Sequence, residues 1–195
     1  MVLASGSPRR RRILQDAGLD FTIQISNAEP EPHPGVAASA FAVEAAGVKA
    51  RDVAGRCPGR IVVGADTVVA LDNTILGKPA DLSEAAGMLR GLSGRKHQVI
   101  TGVVIAFNDA DGVRVVWTGC ESSDVIFKEL LDEDIARYVE TGEPMGKAGA
   151  YAIQGRGGEL VKRVDGSYLN VVGLPLDLLK RSLDDLGYRG PGVSE

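Results

Sequence analysis

MVLASGSPRRRRILQDA, residues 1–17, is the stretch around which the rest of the chain is organised. Its apolar start predicts a short buried strand over residues 2–4, followed by a tight turn. Ser7 is a favourable helix N-cap, and Pro8 suits the first helical position because its missing N–H would have no intrahelical partner there. The stretch therefore predicts a strand, a turn and a helix over residues 8–17.

The arginines of this helix stand at the wrong end for the helix dipole, which favours negative charge at the N-terminus. Arg10 shares a face with Ile13 and Leu14, so Arg10, and Arg9 beside it, should point toward the protein body. One interpretation is a solvated basic patch, or arginines paired with acidic groups elsewhere. The other, which we favour, is an oxyanion site for a phosphate chain, built from backbone N–H groups and guanidinium groups. The Walker A pattern is absent from the chain.

Composition limits the class of protein. The chain has 195 residues, 44% of them hydrophobic, which fits one domain with a substantial core. A net charge of −4 argues against nucleic acid as the main partner. Two distant cysteines, Cys57 and Cys120, indicate a reducing compartment and no thiolate metal site. With no apolar run of about 18 residues, we expect a soluble cytoplasmic protein without membrane contact.

RIVVGADTVVAL, residues 60–71, predicts a buried strand that one carboxylate interrupts. A carboxylate such as Asp66 in an apolar strand is costly unless it is paired, protonated or metal-bound. Gly64 lies two residues earlier on the same face and should leave room for a ligand. Two interpretations stay open: Asp66 pairs with a structural lysine or arginine, or it is a metal ligand or a base that positions water.

Other candidate residues are weaker when each is considered alone. The proline-rich loop 27–35 carries Glu29 and Glu31, which form part of an exposed turn or lean over the site and help bind a metal ion. Lys78 follows a predicted hairpin and is a candidate second cation for phosphates. Lys49, a lone lysine on a predicted helix, is expected to be solvated.

The glycine-dense segment 142–158 encloses Tyr151 and Gln154, which favours a ligand-facing loop over a linker. The Gln154 amide offers one acceptor and two donors, a combination that suits a base edge. His97 is expected to be structural. No Ser-His-Asp or Cys-His set is apparent.

The remaining pattern predicts an alternation of strands and helices. Further strands are predicted over residues 21–26, 97–107, 113–127, 160–164 and 168–172. Further helices are predicted over residues 37–54, 81–92 and 132–140, and one more begins at residues 173–175. The strand over residues 113–127 is expected to bend near Gly119, and the polar tail from Gly187 is expected to fray.

Six segments together resemble the Maf family, also called septum-formation-inhibitor proteins, which act as nucleoside triphosphate pyrophosphatases. They are LASGSPRR (3–10), GADTVV (64–69), GKP (77–79), LSGRKHQV (92–99), GAYAIQG (149–155) and GSYLNVVGLP (166–175). The resemblance covers residues 3–186. It implies an α/β fold, a mixed twisted sheet with flanking helices, in which residues 1–195 form a single Maf-like domain with two lobes around a nucleotide cleft. It also implies a homodimer.

The resemblance further implies roles for particular residues. Asp66 would be the proton acceptor, and the residues in contact with phosphates would be Ser5, Arg9, Arg10, Lys49 and Lys78. Arg10, Thr67 and Gln154 look like the set of the branch that takes dTTP and UTP, whereas the branch acting on 7-methyl-GTP differs at such positions. The loop NAEPE (27–31) departs from the acidic family pattern, and Glu29 is its best match as a metal ligand with Asp66.

These residues together predict a hydrolase that cleaves dTTP and UTP to the monophosphate and pyrophosphate and removes non-canonical nucleotides. A divalent cation, Mg²⁺ or Mn²⁺, would bridge phosphate oxygens and carboxylates. The alternative is a non-catalytic nucleotide-binding regulator of septum formation and cell division. Asp66 discriminates between them, because a protein that only binds nucleotide has no use for a carboxylate that faces an anion.

Overall fold

A seven-stranded mixed sheet forms the centre of the protein, whose computed structural model describes residues 1–188. The strands are β1 (Val2–Leu3), β2 (Thr22–Ile23), β3 (Ile61–Leu71), β4 (Thr74–Leu76), β5 (Lys96–Asp109), β6 (Gly112–Phe127) and β7 (Val161–Asp165). Their order is β2-β1-β3-β5-β6-β7, and β4 pairs with β3 outside that path. β1 is parallel to β2 and β3, and the other pairings are antiparallel.

Within the described residues six α-helices flank the sheet: α1 (Pro8–Asp16), α2 (Ala38–Ala54), α3 (Leu82–Leu92), α4 (Asp132–Val139), α5 (Tyr168–Val172) and α6 (Leu176–Asp185). Two short 3-10 helices cover Ala148–Ala150 and Arg156–Leu160. The predicted α/β class, a mixed sheet with flanking helices, is confirmed. None of the helices within residues 1–188 has the length and apolar character needed to cross a membrane.

The two faces of the sheet carry different helices. On one face, α2 packs its alanines against Val62 and Val104. On the other face, α1 and α6 pack against Val63 and Val103. Successive residues of a strand point to opposite faces, so even-numbered residues of β3 lie on the face that carries α2 and odd-numbered residues lie on the face that carries α1.

Two glycines allow α2 to lie close to the sheet. A Cβ at Gly64 would overlap the backbone oxygen of Ala46, and one at Gly102 would overlap the backbone of Ala42. The expectation that Gly64 leaves room for a ligand is therefore wrong. Helix α2 occupies that space.

A third apolar cluster lies where β3, β5 and β6 meet α3 and α4. It includes Leu89, Phe127 and Ile135, and Tyr151 of the glycine-dense segment packs into it. The segment is thus anchored on a packed core at one point along its length.

The predicted strand over residues 168–172 is wrong, because this stretch forms helix α5. Ser167 caps the helix by accepting a hydrogen bond from the Asn170 N–H at 3.1 Å. The fully buried Asn170 amide donates to Val99 O and to Ser123 Oγ, each at 2.9 Å. These tertiary hydrogen bonds outweigh the β-branched composition of the stretch.

Smaller differences concern strand lengths and ends. The strand expected over residues 21–26 is limited to Thr22–Ile23. The irregularity in the β5–β6 pairing lies at Ile105 and Ala106, opposite Trp117 and Val115, and not at Gly119. Of the tail expected to fray, residues 189–195 lie outside the described residues. Tyr188 is held by a 2.6 Å hydrogen bond between its hydroxyl and the Met1 amino group.

Candidate active site

A gap along one edge of β3 creates the candidate site. β1 pairs with Val62 and Val63 of this edge, and β4 pairs with the stretch from Val69 to Leu71. Between them, within the described part of the chain, residues 64–68 have a neighbouring strand only on the β5 side. A cleft of about 630 Å³ opens at this point.

Every site residue expected from the sequence lines this one cleft. They come from β1 and its turn, α1, the loop after β2, α2, β3, the segment after β4 and the glycine-dense segment. The lining residues are Ser5, Arg9, Arg10, Glu29, Lys49, Asp66, Thr67, Lys78 and Gln154. Lys147 also lines the cleft, and sequence reasoning missed it although it lies within the glycine-dense segment.

The start of α1 is built as predicted. Ser7 Oγ accepts from the Arg10 N–H at 3.4 Å, and Ser5 Oγ accepts from the Ser7 N–H at 3.2 Å. The helix N-terminus, with its unpaired N–H groups and partial positive charge, thus lies at the cleft.

Arg10 points inward, as the helical spacing predicts. Its guanidinium donates to Gly173 O at 2.7 Å, to Thr67 Oγ1 at 3.0 Å and to Ser5 Oγ at 3.3 Å. All three acceptors are uncharged, and no carboxylate within residues 1–188 forms an ion pair with Arg10. Burial lowers the pKa of Arg10, and the charge of Asp66 opposes that shift. Three hydrogen bonds therefore hold Arg10 in place, while its positive charge has no paired anion in the described part of the chain.

Asp66 faces the opposite side of β3 and pairs with Lys49 of α2. Asp66 Oδ1 lies 2.6 Å from Lys49 Nζ, and the side chains are 18% and 15% exposed. The expectation of a solvated Lys49 is wrong, because the packing of α2 brings it to Asp66. The carboxylate is paired with a lysine, one of the two interpretations left open, and both groups still face the cleft.

Thr67 lies behind Arg10 and faces away from the Lys49–Asp66 pair. Its Oγ1 accepts from Arg10 and is 2.9 Å from Thr101 Oγ1. Thr101 Oγ1 in turn donates to Asn170 O at 3.0 Å. A line of hydrogen bonds therefore connects the cleft with helix α5.

Glu29 and Lys78 form a second, looser pair at the mouth of the cleft. Their charged atoms are 3.3 Å apart, and the side chains are 71% and 61% exposed. Ion pairs this exposed contribute only about 0–1 kcal/mol, so either group can exchange its partner at little cost.

Gln154 and Tyr151 of the glycine-dense segment have different surroundings. Gln154 is exposed, and its side chain makes no hydrogen bond to any part of the described chain. Tyr151 is buried, and its hydroxyl lies 2.8 Å from His97 Nε2, so its polar end faces the core. Burial lowers the pKa of His97 to about 4, which leaves the ring neutral at pH 7. The expected structural role of His97 agrees with this position.

The divalent cation that the resemblance implies would need carboxylates of the cleft as ligands. Among residues 1–188 no group of three or more His, Cys, Asp or Glu side chains is arranged to hold a metal ion. Mg²⁺ is commonly bound through one or two carboxylates together with substrate phosphates. Glu29 and Asp66, the two cleft carboxylates paired with lysines, fit a metal ion that enters with a triphosphate.

Comparison with known proteins agrees with this architecture. The chain is 48% identical over 188 residues to the dTTP/UTP pyrophosphatase of Pelotomaculum thermopropionicum, covering 96% of this chain and 97% of the relative. It is 48% identical to the protein of that name from Geobacter metallireducens and 42% identical to that from Bacillus pumilus, with 96% of each chain covered.

A solved structure and a family model complete the comparison. The structure of a HAM1 protein from Coxiella burnetii shares the fold, with a TM-score of 0.50 at 17% identity, over 94% of this chain and 98% of the other. The model of the Maf family, described as Maf-like protein, matches residues 1–186. This chain therefore belongs to the Maf family.

Proposed function

We propose that this protein hydrolyses dTTP and UTP to the nucleoside monophosphate and pyrophosphate. The observation that carries the proposal is the meeting, in one cleft, of the Lys49–Asp66 pair with Arg10, whose charge no carboxylate among residues 1–188 balances. Such a site holds a carboxylate near the place where cations would bind a polyphosphate. The names of the relatives supply the substrate pair.

The phosphate chain would bind at the start of α1. Arg9 and Arg10 supply guanidinium charge there, and Ser5 and the helix N-terminus supply hydrogen bonds. The hydrogen bonds from Arg10 to Gly173 and Thr67 hold its guanidinium in place before the substrate arrives. Binding then requires little rearrangement of this side chain.

Asp66 would act as the base. When a phosphate oxygen takes over Lys49 Nζ, the Asp66 carboxylate is released to accept a proton from water. The water oxygen forms a bond to the α-phosphorus, and the bond from that phosphorus to the bridging α–β oxygen breaks. The electron pair of that bond leaves with pyrophosphate, and the proton rests on Asp66.

Glu29 and Asp66 would hold a divalent cation, Mg²⁺ or Mn²⁺, together with the substrate. When bound, it neutralises phosphate charge and polarises the phosphoryl oxygens. Lys78, released from the exposed pair with Glu29, would then bind the outer phosphates.

Gln154 would read the pyrimidine. Its free amide satisfies a carbonyl and an N3–H of thymine or uracil together, and modified pyrimidines with the same edge would also be accepted.

The net charge of −4 supports a small-molecule substrate and no nucleic-acid partner. We further propose a cytoplasmic location. We also propose that the protein forms a homodimer, and sedimentation would test this oligomeric state.

Pyrophosphate release over a panel of canonical and modified triphosphates, with Mg²⁺ and with Mn²⁺, tests the proposal. We expect dTTP and UTP to have the highest kcat/KM and the monophosphate to be the second product. Tight nucleotide binding without turnover would instead identify a nucleotide-binding regulator. Release of single inorganic phosphates would refute cleavage between the α and β phosphates.

A further inference from the structure

Two side chains outside the cleft hold the backbone on both sides of Gln154. Tyr138, at the end of α4, is buried, and Glu143 follows in the segment after that helix. The Tyr138 hydroxyl donates to Glu143 Oε1 at 2.9 Å. Neither residue lines the cleft.

This pair accepts hydrogen bonds from three backbone N–H groups. The Ala152 N–H donates to Tyr138 Oη at 3.3 Å, and the N–H groups of Arg156 and Gly157 donate to the two Glu143 carboxylate oxygens at 3.0 Å each. The three amides bracket Gln154, two residues before it and two and three residues after it.

Glycines make this close approach possible. A Cβ at Gly155 would overlap the Glu143 carboxylate, and a Cβ at Gly157 would lie 2.7 Å from Tyr138 Oη. The glycine density of the segment therefore serves the Tyr138–Glu143 pair as well as the cleft.

The charge states suit these hydrogen bonds. Burial raises the pKa of Tyr138, so its phenol remains a donor at neutral pH. Burial would also raise the pKa of Glu143, but hydrogen bonds from Gly157, Arg156 and Tyr138 outweigh it, and the net pKa is lowered. Glu143 is therefore an ionised acceptor, which strengthens its bonds to the two amides.

We propose that the Tyr138–Glu143 pair determines base selectivity by fixing the backbone that carries Gln154. The inference rests on the proposed function, in which Gln154 reads the pyrimidine. Ala152, Ile153 and Gln154 line the cleft, whereas residues 155–157 do not. The pair therefore holds the backbone on either side of Gln154 from outside the site. Tyr138 and Glu143 are positioning residues that touch no substrate.

Tyr138→Phe tests the pair with the least disturbance, because it removes the hydroxyl and keeps the ring in the core. Glu143→Gln is the second variant, since it keeps the shape but replaces an acceptor oxygen with an NH₂ group. In both, kcat/KM for dTTP relative to CTP should fall about tenfold, mainly through KM, because small displacements of a reading group remove much of its discrimination. Inhibition by pyrophosphate should not change.

Matched controls are available in the chain. Tyr168 is 48% exposed, and its hydroxyl makes no hydrogen bond within residues 1–188, so Tyr168→Phe should leave selectivity unchanged. Glu140→Gln changes an exposed carboxyl three residues before Glu143 and should also have no effect. Amide hydrogen exchange should rise at Ala152 in Tyr138→Phe, because the Tyr138 hydroxyl accepts from that amide, and at Arg156 and Gly157 in Glu143→Gln, and it should not change in the two controls.

Gln154→Ala, measured in parallel, separates this inference from the proposed function. Combined with Tyr138→Phe it should give no further loss of selectivity, because both changes act on one contact. If Gln154→Ala lowers selectivity while Tyr138→Phe and Glu143→Gln do not, the inference fails and the proposed function stands. An equal loss for all substrates would show a purely structural pair and overturn the inference. If the protein hydrolyses neither dTTP nor UTP, the proposed function fails, and calorimetric binding of dTTP against CTP decides the inference.

Discussion

Lys49 Nζ and Asp66 Oδ1 lie 2.6 Å apart, on α2 and β3, with both side chains facing one cleft. The pair solves the problem of a carboxylate in an apolar strand, because the lysine balances its charge in the free protein. The pair also keeps a base available for catalysis. An incoming polyphosphate competes with Asp66 for Lys49 and thereby frees the carboxylate. In the proposed mechanism, the Asp66 carboxylate is therefore paired with Lys49 in the free protein and acts as the base once the substrate is bound.

Asp66→Asn should leave the fold intact and remove most turnover. Loss of a positioned base costs roughly 10²–10⁴ in rate. Steady-state pyrophosphate release from dTTP measures the effect, and circular dichroism checks the fold. Asp111→Asn, at an exposed turn, serves as the control. Turnover near the wild-type rate would make Asp66 a structural residue only.

Lys49→Met should destabilise the free protein by about 1–3 kcal/mol, because it leaves a largely buried carboxylate without its partner. It should also raise KM for dTTP. The double variant Lys49→Met with Asp66→Asn should recover part of the lost stability, since the unpaired charge is then gone. Urea unfolding of the four proteins measures the coupling. Strict additivity would argue against a direct pair.

Arg10→Ala should lower the free energy of unfolding by about 1–3 kcal/mol, since the loss of three hydrogen bonds from a charged donor outweighs the gain from relieving the desolvation of its charge. The exposed Arg11→Ala is the control. With dTTP and metal added, the Arg10 variant should gain less Tm than the wild type, because its nucleotide affinity is lower. An equal gain in both proteins would exclude Arg10 from the phosphate site.

His97 should make stability fall in mild acid. Its pKa is about 4 in the folded protein and 6.5 unfolded, so the unfolded chain takes up a proton that the folded chain excludes. The stability that the neutral His97 ring contributes is fully present above pH 6.5. It declines by about 1.4 kcal/mol per pH unit as the pH falls toward 4. His97→Gln should flatten the dependence between pH 6.5 and 5, where carboxylates contribute least, whereas His33→Gln, at an exposed site, should not.

Gly64→Ala should destabilise the protein by about 1–3 kcal/mol or more, because the new methyl group overlaps α2 backbone that cannot move aside easily. Gly87→Ala is the matched substitution, in the middle of α3 with no atom within 4 Å of the new Cβ. It should stabilise the protein by about 0.5–1 kcal/mol through helix propensity. Thermal unfolding of both variants tests the contrast. If both substitutions changed the stability equally, α2 would not pack against β3 closely enough to exclude a methyl group at position 64.

The sequence by itself determined the elements whose causes are local. Ser7 and Pro8 begin α1 through capping and a preset dihedral angle, and the apolar run of β3 follows from composition. The hairpin at Asp72 and Asn73 forms where both residues adopt positive φ angles, 48° and 65°. Asn and Asp tolerate that region better than most residues, so these two residue types are enough to predict the turn from the sequence.

Only the tertiary structure decided which distant groups meet. Residues 168–172 form a helix because Asn170 bonds to β5 and β6, and Lys49 finds Asp66 because α2 crosses β3 there. Arg10 is anchored on Gly173, 163 residues away. Periodicity and capping act within one or two turns of chain, whereas these contacts depend on how helices pack on a sheet, which no local pattern specifies.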